Sequence, residues 1–401
     1  MVLLVFINTL YGALVGWDGL GITSFLLVIY FKNRKALGRG MITALTNRLG
    51  DVFLLVLLGL AFLPLPSTYL LLVLLLLTAM TKRAQYPFSR WLPAAMAAPT
   101  PVRALVHSST LVTAGVYLLL RFNHNGSEWL LTIGSITILL AGMRACAEID
   151  IKKIVALSTL SQLGVMVVGL SLALKRLCFF HLMTHARFKA LLFLCVGVGI
   201  HTVFGSQDFR AYSNVATTLP GPSALLRVAN LALLGFPFLA GFYSKDAILE
   251  GFYRAAQRLA GLLAFLLGVG LTTAYRLKLT SLALVGSVTP SPATLNGGGR
   301  PPRVKLPLLA LGTAAVLGGF LLAPVWTSDV CAVGAVDKIL PLLGIALGGG
   351  IGWRLRKVKS HFLNRIWDLT PWFQQQAALG GGMRAASLID SGAGEMAGGP
   401  G

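Results

Sequence analysis

At 56% hydrophobic and 12% charged residues, this 401-residue chain is too apolar for a water-soluble fold. Its formal charge of +21, from 34 basic against 13 acidic residues, has two readings: basic loops at a membrane surface that meet anionic lipid, or a nucleic-acid surface. The basic residues are dispersed rather than clustered, which disfavours nucleic acid as a partner.

Apolar runs of roughly 17 to 25 residues are what a bilayer span needs, and such runs recur along the chain. They cover 2–15 (short for a span), 19–31, 41–63, 69–81, 101–122, 129–147, 151–174, 178–204, 225–239, 247–284 (long enough for two helices), 306–326 and 339–353. About eleven to thirteen spans are expected. Met1 opens directly into an apolar segment with no basic region before it, so no cleavable signal is expected. The expected division is a transmembrane core over 1–284, further spans over 285–353, a surface-lying segment over 354–379 and a Gly-rich disordered tail over 380–401.

Lys82 is out of place in this pattern. It follows the charge-free stretch Tyr69–Met80 and leads into Pro87, Pro93, Pro99 and Pro101. An ammonium in a bilayer is costly, and prolines free backbone carbonyls that only protein or a water-lined cavity can satisfy. The bland reading is a lysine that snorkels to the interface; the prolines favour an interrupted helix with a titratable base at mid-depth. Gln85-Tyr86-Pro87-Phe88 is echoed weakly by Gly235-Phe236-Pro237-Phe238, which leads to Lys245-Asp246. Paired interruptions of this kind point to an inverted-repeat transporter with midplane sites.

His181, His185 and Lys189 recur at i, i+4 and i+8 and share one helix face over about 12 Å. Histidine titrates near neutrality, so the stack suits proton passage; His-x3-His is also metal-ligand spacing, but no carboxylate on the same helix completes a shell. Asp18 is expected at the mouth of a helix, as an N-cap or a functional carboxylate, and Asp51 in a salt bridge to Arg48 or a functional role. His107 precedes Ser108-Ser109-Thr110, whose hydroxyls can satisfy it as a core histidine. Glu148, Asp150, Lys152 and Lys153 read as a solvated cluster or as one end of a buried network. The four cysteines (Cys146, Cys178, Cys195, Cys331) lack CxxC spacing and read as small hydrophobes, and no dinucleotide, Walker or flavin signature appears, so no cofactor or metal is expected in this chain.

The strings Trp17-Asp18-Gly19-Leu20-Gly21, Thr46-Asn47-Arg48-Leu49-Gly50-Asp51, Trp91-Leu92-Pro93-Ala94-Ala95-Met96, His107-Ser108-Ser109-Thr110, Asp150-Ile151-Lys152-Lys153, Ser158-Thr159-Leu160-Ser161-Gln162-Leu163-Gly164 and Gly241-Phe242-Tyr243-Ser244-Lys245-Asp246 stand in consistent order. Together they resemble the chain 5 family of the proton-pumping NADH:ubiquinone oxidoreductase (complex I), densely from Gly16 to about Leu284 and loosely beyond. The resemblance implies an all-α, polytopic membrane helix bundle with inverted repeats and discontinuous helices, related to cation/proton antiporter subunits. It implies that Asp18 pairs with Lys82, and that His107, His181, His185 and Lys189 continue a hydrated axis with Lys245 on its exit side. Asp51, Asp150, Lys153 and Asp246 would be supporting charges. It further implies the mitochondrial inner membrane, other membrane-arm subunits and anionic lipid such as cardiolipin as partners, with NAD, FMN, iron–sulfur clusters and ubiquinone on other subunits. A non-pumping structural subunit and a standalone cation/proton antiporter are the alternatives.

The chain departs from that family in three ways. Asp18 stands where glutamate is usual, and the chain begins inside what resembles the fourth span and ends with a reduced lateral segment. Arginine also stands at Arg39, Arg83, Arg103, Arg144, Arg187, Arg227 and Arg276, where relatives carry small residues, often serine. Two codons read as arginine in the standard code specify serine in many animal mitochondria, so serine is one expectation at these seven positions and a genuine set of extra counter-charges is the other.

Overall fold

The computed structural model describes residues 1–355 apart from 8, 62–67, 123–126, 204, 209–211, 213–218, 255–258, 285–301 and 327–334. These residues belong to one unit, Met1–Val358. The expected surface segment and Gly-rich tail therefore lie, but for Arg354 and Leu355, outside the described residues, as does Cys331. In chain order the helices are α1 Val2–Phe6, α2 Leu10–Val28, α3 Arg34–Ala61, α4 Thr68–Lys82, α5 Trp91–Ala94, α6 Thr100–Leu105, α7 Leu111–Phe122, α8 Glu128–Ala147, α9 Ile151–Ser171, α10 Lys175–Thr202, α11 Pro220–Leu234, α12 Ala240–Arg254, α13 Leu259–Leu284, α14 Pro302–Trp326 and α15 Ala335–Leu355. Among the described residues, eight helices are long and apolar enough to cross a membrane.

Helix α14 is apolar on every side from Leu306 to Trp326 rather than along one stripe. On α14, Leu317, Leu321 and Val325 lie one turn apart and are 54%, 66% and 69% exposed, a surface suited to lipid and not to water. Helix α9 is the inner post, buried without a gap from Ile154 to Ser171 and packed on α8, α10, α12 and α13. Its contact with α8 is close because both helices give up a side chain at the crossing. A Cβ on Gly134 would stand 3.2 Å from Gly164 O, and one on Gly164 would stand 3.1 Å from Gly134 O. Between membrane helices, small residues of this kind let backbones approach and gain van der Waals contact.

Two elements differ from the sequence expectation. The runs 2–15 and 19–31 do not form two spans; α2 runs unbroken from Leu10 to Val28, so Asp18 lies in mid-helix and not at a helix mouth. Within the helix the carboxylate meets Arg48 of the neighbouring α3 at 2.6 Å. The run 247–284 does form two helices, but the first of them starts earlier, at Ala240.

The paired interruptions are real backbone breaks. A 15-residue helix rises about 22 Å, short of the roughly 30 Å hydrocarbon core, and α4, α11 and α12 are each 15 residues long. Both breaks close with the same pair of bonds: Gln85 N to Met80 O with Ala84 N to Thr81 O, and Phe236 N to Leu231 O with Gly235 N to Ala232 O. This is the Schellman closure, which needs a left-handed residue. Gly235 supplies it at φ 86°, where glycine has no Cβ to clash; Ala84 supplies it at φ 55°. A cis Tyr86–Pro87 peptide then turns the chain into short helical turns that run to α6.

Candidate functional site

Lys82 is the last residue of α4 and is fully buried. Its Nζ donates to Trp17 O at 2.5 Å, lies 4.1 Å from the Trp17 ring centre and stands 3.6 Å from Asp51 Oδ1. Asp51 also accepts from Trp17 Nε1 at 2.9 Å, so one tryptophan holds both the ammonium and its counter-charge. Arg48, one turn before Asp51 on α3, donates to Asp51 Oδ2 at 3.4 Å and to Asp18 Oδ1 at 2.6 Å. The result is a row of alternating charges, Asp18–Arg48–Asp51–Lys82. Burial of an amine disfavours its charged form and a nearby carboxylate restores it. The direct Asp18–Lys82 pair implied by the resemblance is not formed: Asp51 stands at the lysine and Asp18 is held by Arg48. Helix geometry explains this, since Asp18 follows Trp17 by one residue and so points about 100° away from it around α2.

Between α6 and α7 the chain makes a π-helical turn, Val106–Thr110, which carries His107. Such turns insert one residue into an α-helix and recur at functional sites. The His107 side chain lies outside the described residues. Its neighbour Ser108 donates to Ala186 O at 3.3 Å, which sets this turn against α10 just after His185.

On α10 the predicted stack is present and buried: His181, His185 and Lys189 are each at most 1% exposed. The two imidazoles stand 6.1 Å apart between ring centres. His181 Nδ1 shares a hydrogen bond with Ser244 Oγ at 2.9 Å, which ties the stack to α12 next to Lys245. Lys189 donates to Ser158 Oγ at 2.5 Å and Val155 O at 3.2 Å on α9, and Lys245 donates to Leu233 O at 2.5 Å, just before the α11–α12 break. Both lysines near helix breaks thus bond a backbone carbonyl, though Lys82 precedes its break and Lys245 follows its own. His181 Nε2, both ring nitrogens of His185, both side-chain polar atoms of Gln162 and Nδ2 of Asn230 are buried without a protein partner. Buried polar atoms are normally satisfied, so these are the atoms that ordered water would have to serve.

The other predicted residues sit apart from the row of charges on α2–α4. Asp150 and Lys153 pair at 2.8 Å at the start of α9, with Glu148 at 3.5 Å from Lys153, an ordinary partly exposed helix-end cluster. Asp246 follows Lys245 on α12 but forms no ion pair with it among the described residues. No three His, Cys, Asp or Glu side chains gather to hold a metal ion among the described residues. Two residues that pattern reading did not single out matter here. Trp17 sits between Asp51 and Lys82, and Ser158 accepts from both Lys189 and Arg276 Nη2, the latter at 2.6 Å. The only sequence sign of either was its place in a string already chosen for its charges or its resemblance.

Buried lysines beside the breaks of interrupted helices, one of them with a carboxylate within reach, set in a bundle of membrane-length helices, define a polytopic membrane protein. Residues 8–272 match the family described as NADH:quinone oxidoreductase/Mrp antiporter, transmembrane. The chain belongs to that family. It is 44% identical to NADH-ubiquinone oxidoreductase chain 5 of Anopheles quadrimaculatus over 91% of this chain and 67% of that one. It is 43% identical to the chain 5 of Lumbricus terrestris over 88% and 64%, and 40% identical to that of Locusta migratoria over 100% and 76%. A chain of the Mrp complex from Dietzia sp. DQ12-45-1b superposes with a TM-score of 0.80 at 26% identity, over 96% of this chain and 47% of that one. The chain thus spans about two thirds of the length of these curated relatives and about half that of the structural neighbour.

Proposed function

We propose that this chain is a proton-conducting, antiporter-like subunit in the membrane arm of respiratory complex I, in the mitochondrial inner membrane. The observation that carries the reading is the contact of buried Lys82 with Asp51, itself shared with Arg48. A buried ammonium keeps its proton while a carboxylate answers it. When Arg48 draws Asp51 away, Lys82 loses that support and hands its proton on; when Arg48 returns to Asp18, the lysine is ready to be charged again. The next acceptors are His107 on the π-helical turn and then His185, His181 and Lys189, reached through water held by the unpartnered polar atoms around α10. Lys245, tied to the stack through Ser244, is the exit group. A shift of this kind needs a driving process with different affinity for the two pairings, which we assign to NADH-to-ubiquinone electron transfer on other subunits. NAD, FMN, iron–sulfur clusters and ubiquinone belong to those subunits on this reading, because this chain carries no nucleotide fingerprint and no CxxC pair.

The deciding experiment is Lys82→Ala in the assembled complex, with protons moved per electron transferred as the readout. A fall in that ratio supports the assignment. An unchanged ratio rejects it and favours a structural subunit, while ion exchange without quinone reduction favours a standalone antiporter. For the lipid partner, we assign the groove of about 430 Å³ lined by Tyr117, Arg121, Lys175, Arg176, Phe179 and Trp326. It lies at the ends of α7, α10 and α14, where basic and aromatic side chains suit an anionic headgroup at the interface.

A further inference from the structure

Three arginines are buried where no acid answers them. Arg83, Arg103 and Arg276 are each at most 1% exposed and rank among the largest fully buried side chains. Arg83 leaves Nε and Nη2 without a partner; Arg103 donates to Ala98 O and leaves Nε and Nη1. Arg276 donates to Asn230 Oδ1 and Ser158 Oγ, leaves Nε, and shares that serine with the amine of Lys189. None of the three forms an ion pair among the described residues. Guanidinium cannot escape by losing its proton, and a buried charge without a counter-charge is strongly destabilising.

The same chain seats other arginines well. Arg48 meets two carboxylates at a half-exposed site, and Arg121 at the end of α7 donates to Ile7 O at 2.7 Å and lies over the Phe122 ring. Several buried hydroxyls, by contrast, close on their own helix: Thr78 on Leu75 O, Thr81 on Thr78 O, Ser158 on Val155 O and Ser161 on Ser158 O. A serine at positions 83, 103 or 276 has the same local acceptor available and carries no charge.

AGA and AGG mean arginine in the standard code and serine in the mitochondria of many invertebrates, and the relatives named above are insects and an annelid. We propose that Arg83, Arg103 and Arg276 are decoded as serine where this protein is made. Of the seven arginines singled out in the sequence, these three carry the structural case. Arg39 and Arg227 are exposed and Arg144 and Arg187 are half-buried, so full burial singles out the other three. The decoding removes three cations from the interior, one beside Lys82 in sequence and one at the Lys189 hydroxyl, and lowers the formal +21 by the same three. The inference rests on family membership and burial, and not on the proposed proton path.

The test is peptide mass spectrometry on the complex purified from its native membrane, read beside the codons. Serine at all three positions from AGA or AGG, with arginine retained at Arg48 and Arg121, is the expected result; serine at 83 also abolishes tryptic cleavage after that residue. Arginine in the peptides at any of the three, or a CGN codon there, overturns the proposal for that position. Serine at Arg48 or Arg121 as well would overturn the burial argument, since the structure gives those two side chains acceptors.

Discussion

Lys82 and Asp51 stand 3.6 Å apart, the lysine sealed from solvent and the carboxylate 13% exposed, while Asp18 is paired with Arg48 at 2.6 Å. The two carboxylates therefore differ in consequence, although both belong to strings that resemble one family. Asp51 is half of a buried pair and Asp18 half of an exposed one.

Asp51→Asn is expected to be the more damaging change. Removing one member of a buried pair leaves the other uncompensated, at a cost of about 3 kcal/mol, whereas an exposed pair such as Asp18–Arg48 is worth about 1 kcal/mol or less. Assembled complex and proton-pumping rate should both fall sharply in Asp51→Asn and mildly in Asp18→Asn. The double change Asp51→Asn with Lys82→Met should recover assembly and not pumping, because it removes the orphaned charge together with the proton carrier. Equal effects of the two single changes would refute the ordering.

Gly50→Ala should disturb the same site through packing alone. A Cβ at Gly50 would stand 2.1 Å from Thr81 Oγ1, so α3 and α4 must separate one residue from Asp51 and one from Lys82. Overpacking of this kind costs about 1 to 3 kcal/mol. A lower thermal midpoint together with reduced proton transfer is expected; full activity at the lower midpoint would show that the pair tolerates the separation.

Ser158→Ala should slow proton transfer about tenfold, the kinetic equivalent of roughly 1.4 kcal/mol, because Lys189 loses its 2.5 Å acceptor and keeps only Val155 O. Ser158→Thr keeps the hydroxyl and should restore most of the rate. Proton uptake by the reconstituted complex, compared with its electron-transfer rate, separates this from a folding defect. Failure of threonine to rescue would assign Ser158 to packing instead.

Charge reversal in the groove, Lys175→Glu with Arg176→Glu, should strip co-purifying anionic lipid while leaving neutral lipid in place. Native mass spectrometry of the complex reads this directly. Retention of anionic lipid at its original level would remove the groove as the site.

Much of this arrangement is legible in the chain. The apolar runs predict most of the spans, the i, i+4, i+8 pattern predicts the buried face of α10, and Pro-Phe beside lysine predicts both helix breaks. What is not legible depends on neighbours far apart in sequence. Asp18 looks like a helix cap until Arg48, thirty residues on, is seen to neutralise it in mid-helix. Trp17 looks like a core aromatic until its indole N–H and carbonyl are found on Asp51 and Lys82. The π-helical turn at His107 carries no specific local signature, since weak helix formers such as those of Val106–Thr110 fit a loop, a strand or a helix end as well. Arginines also look alike in a string of letters, and only burial separates Arg83, Arg103 and Arg276 from Arg48 and Arg121.

The row of charges on α2, α3 and α4 grades from open to closed, with side chains 56% exposed at Arg48, 37% at Asp18, 13% at Asp51 and 0% at Lys82. On the proposed reading it would act as a lever, with the exposed Arg48 as its handle and the buried Lys82 as its short arm. A neighbouring protein that docks against α2 and α3 can grip Arg48 and change what Lys82 feels without approaching it, and without opening a water path to the lysine. On that reading, coupling between subunits would need no long-range deformation of the bundle, because one guanidinium already meets both carboxylates.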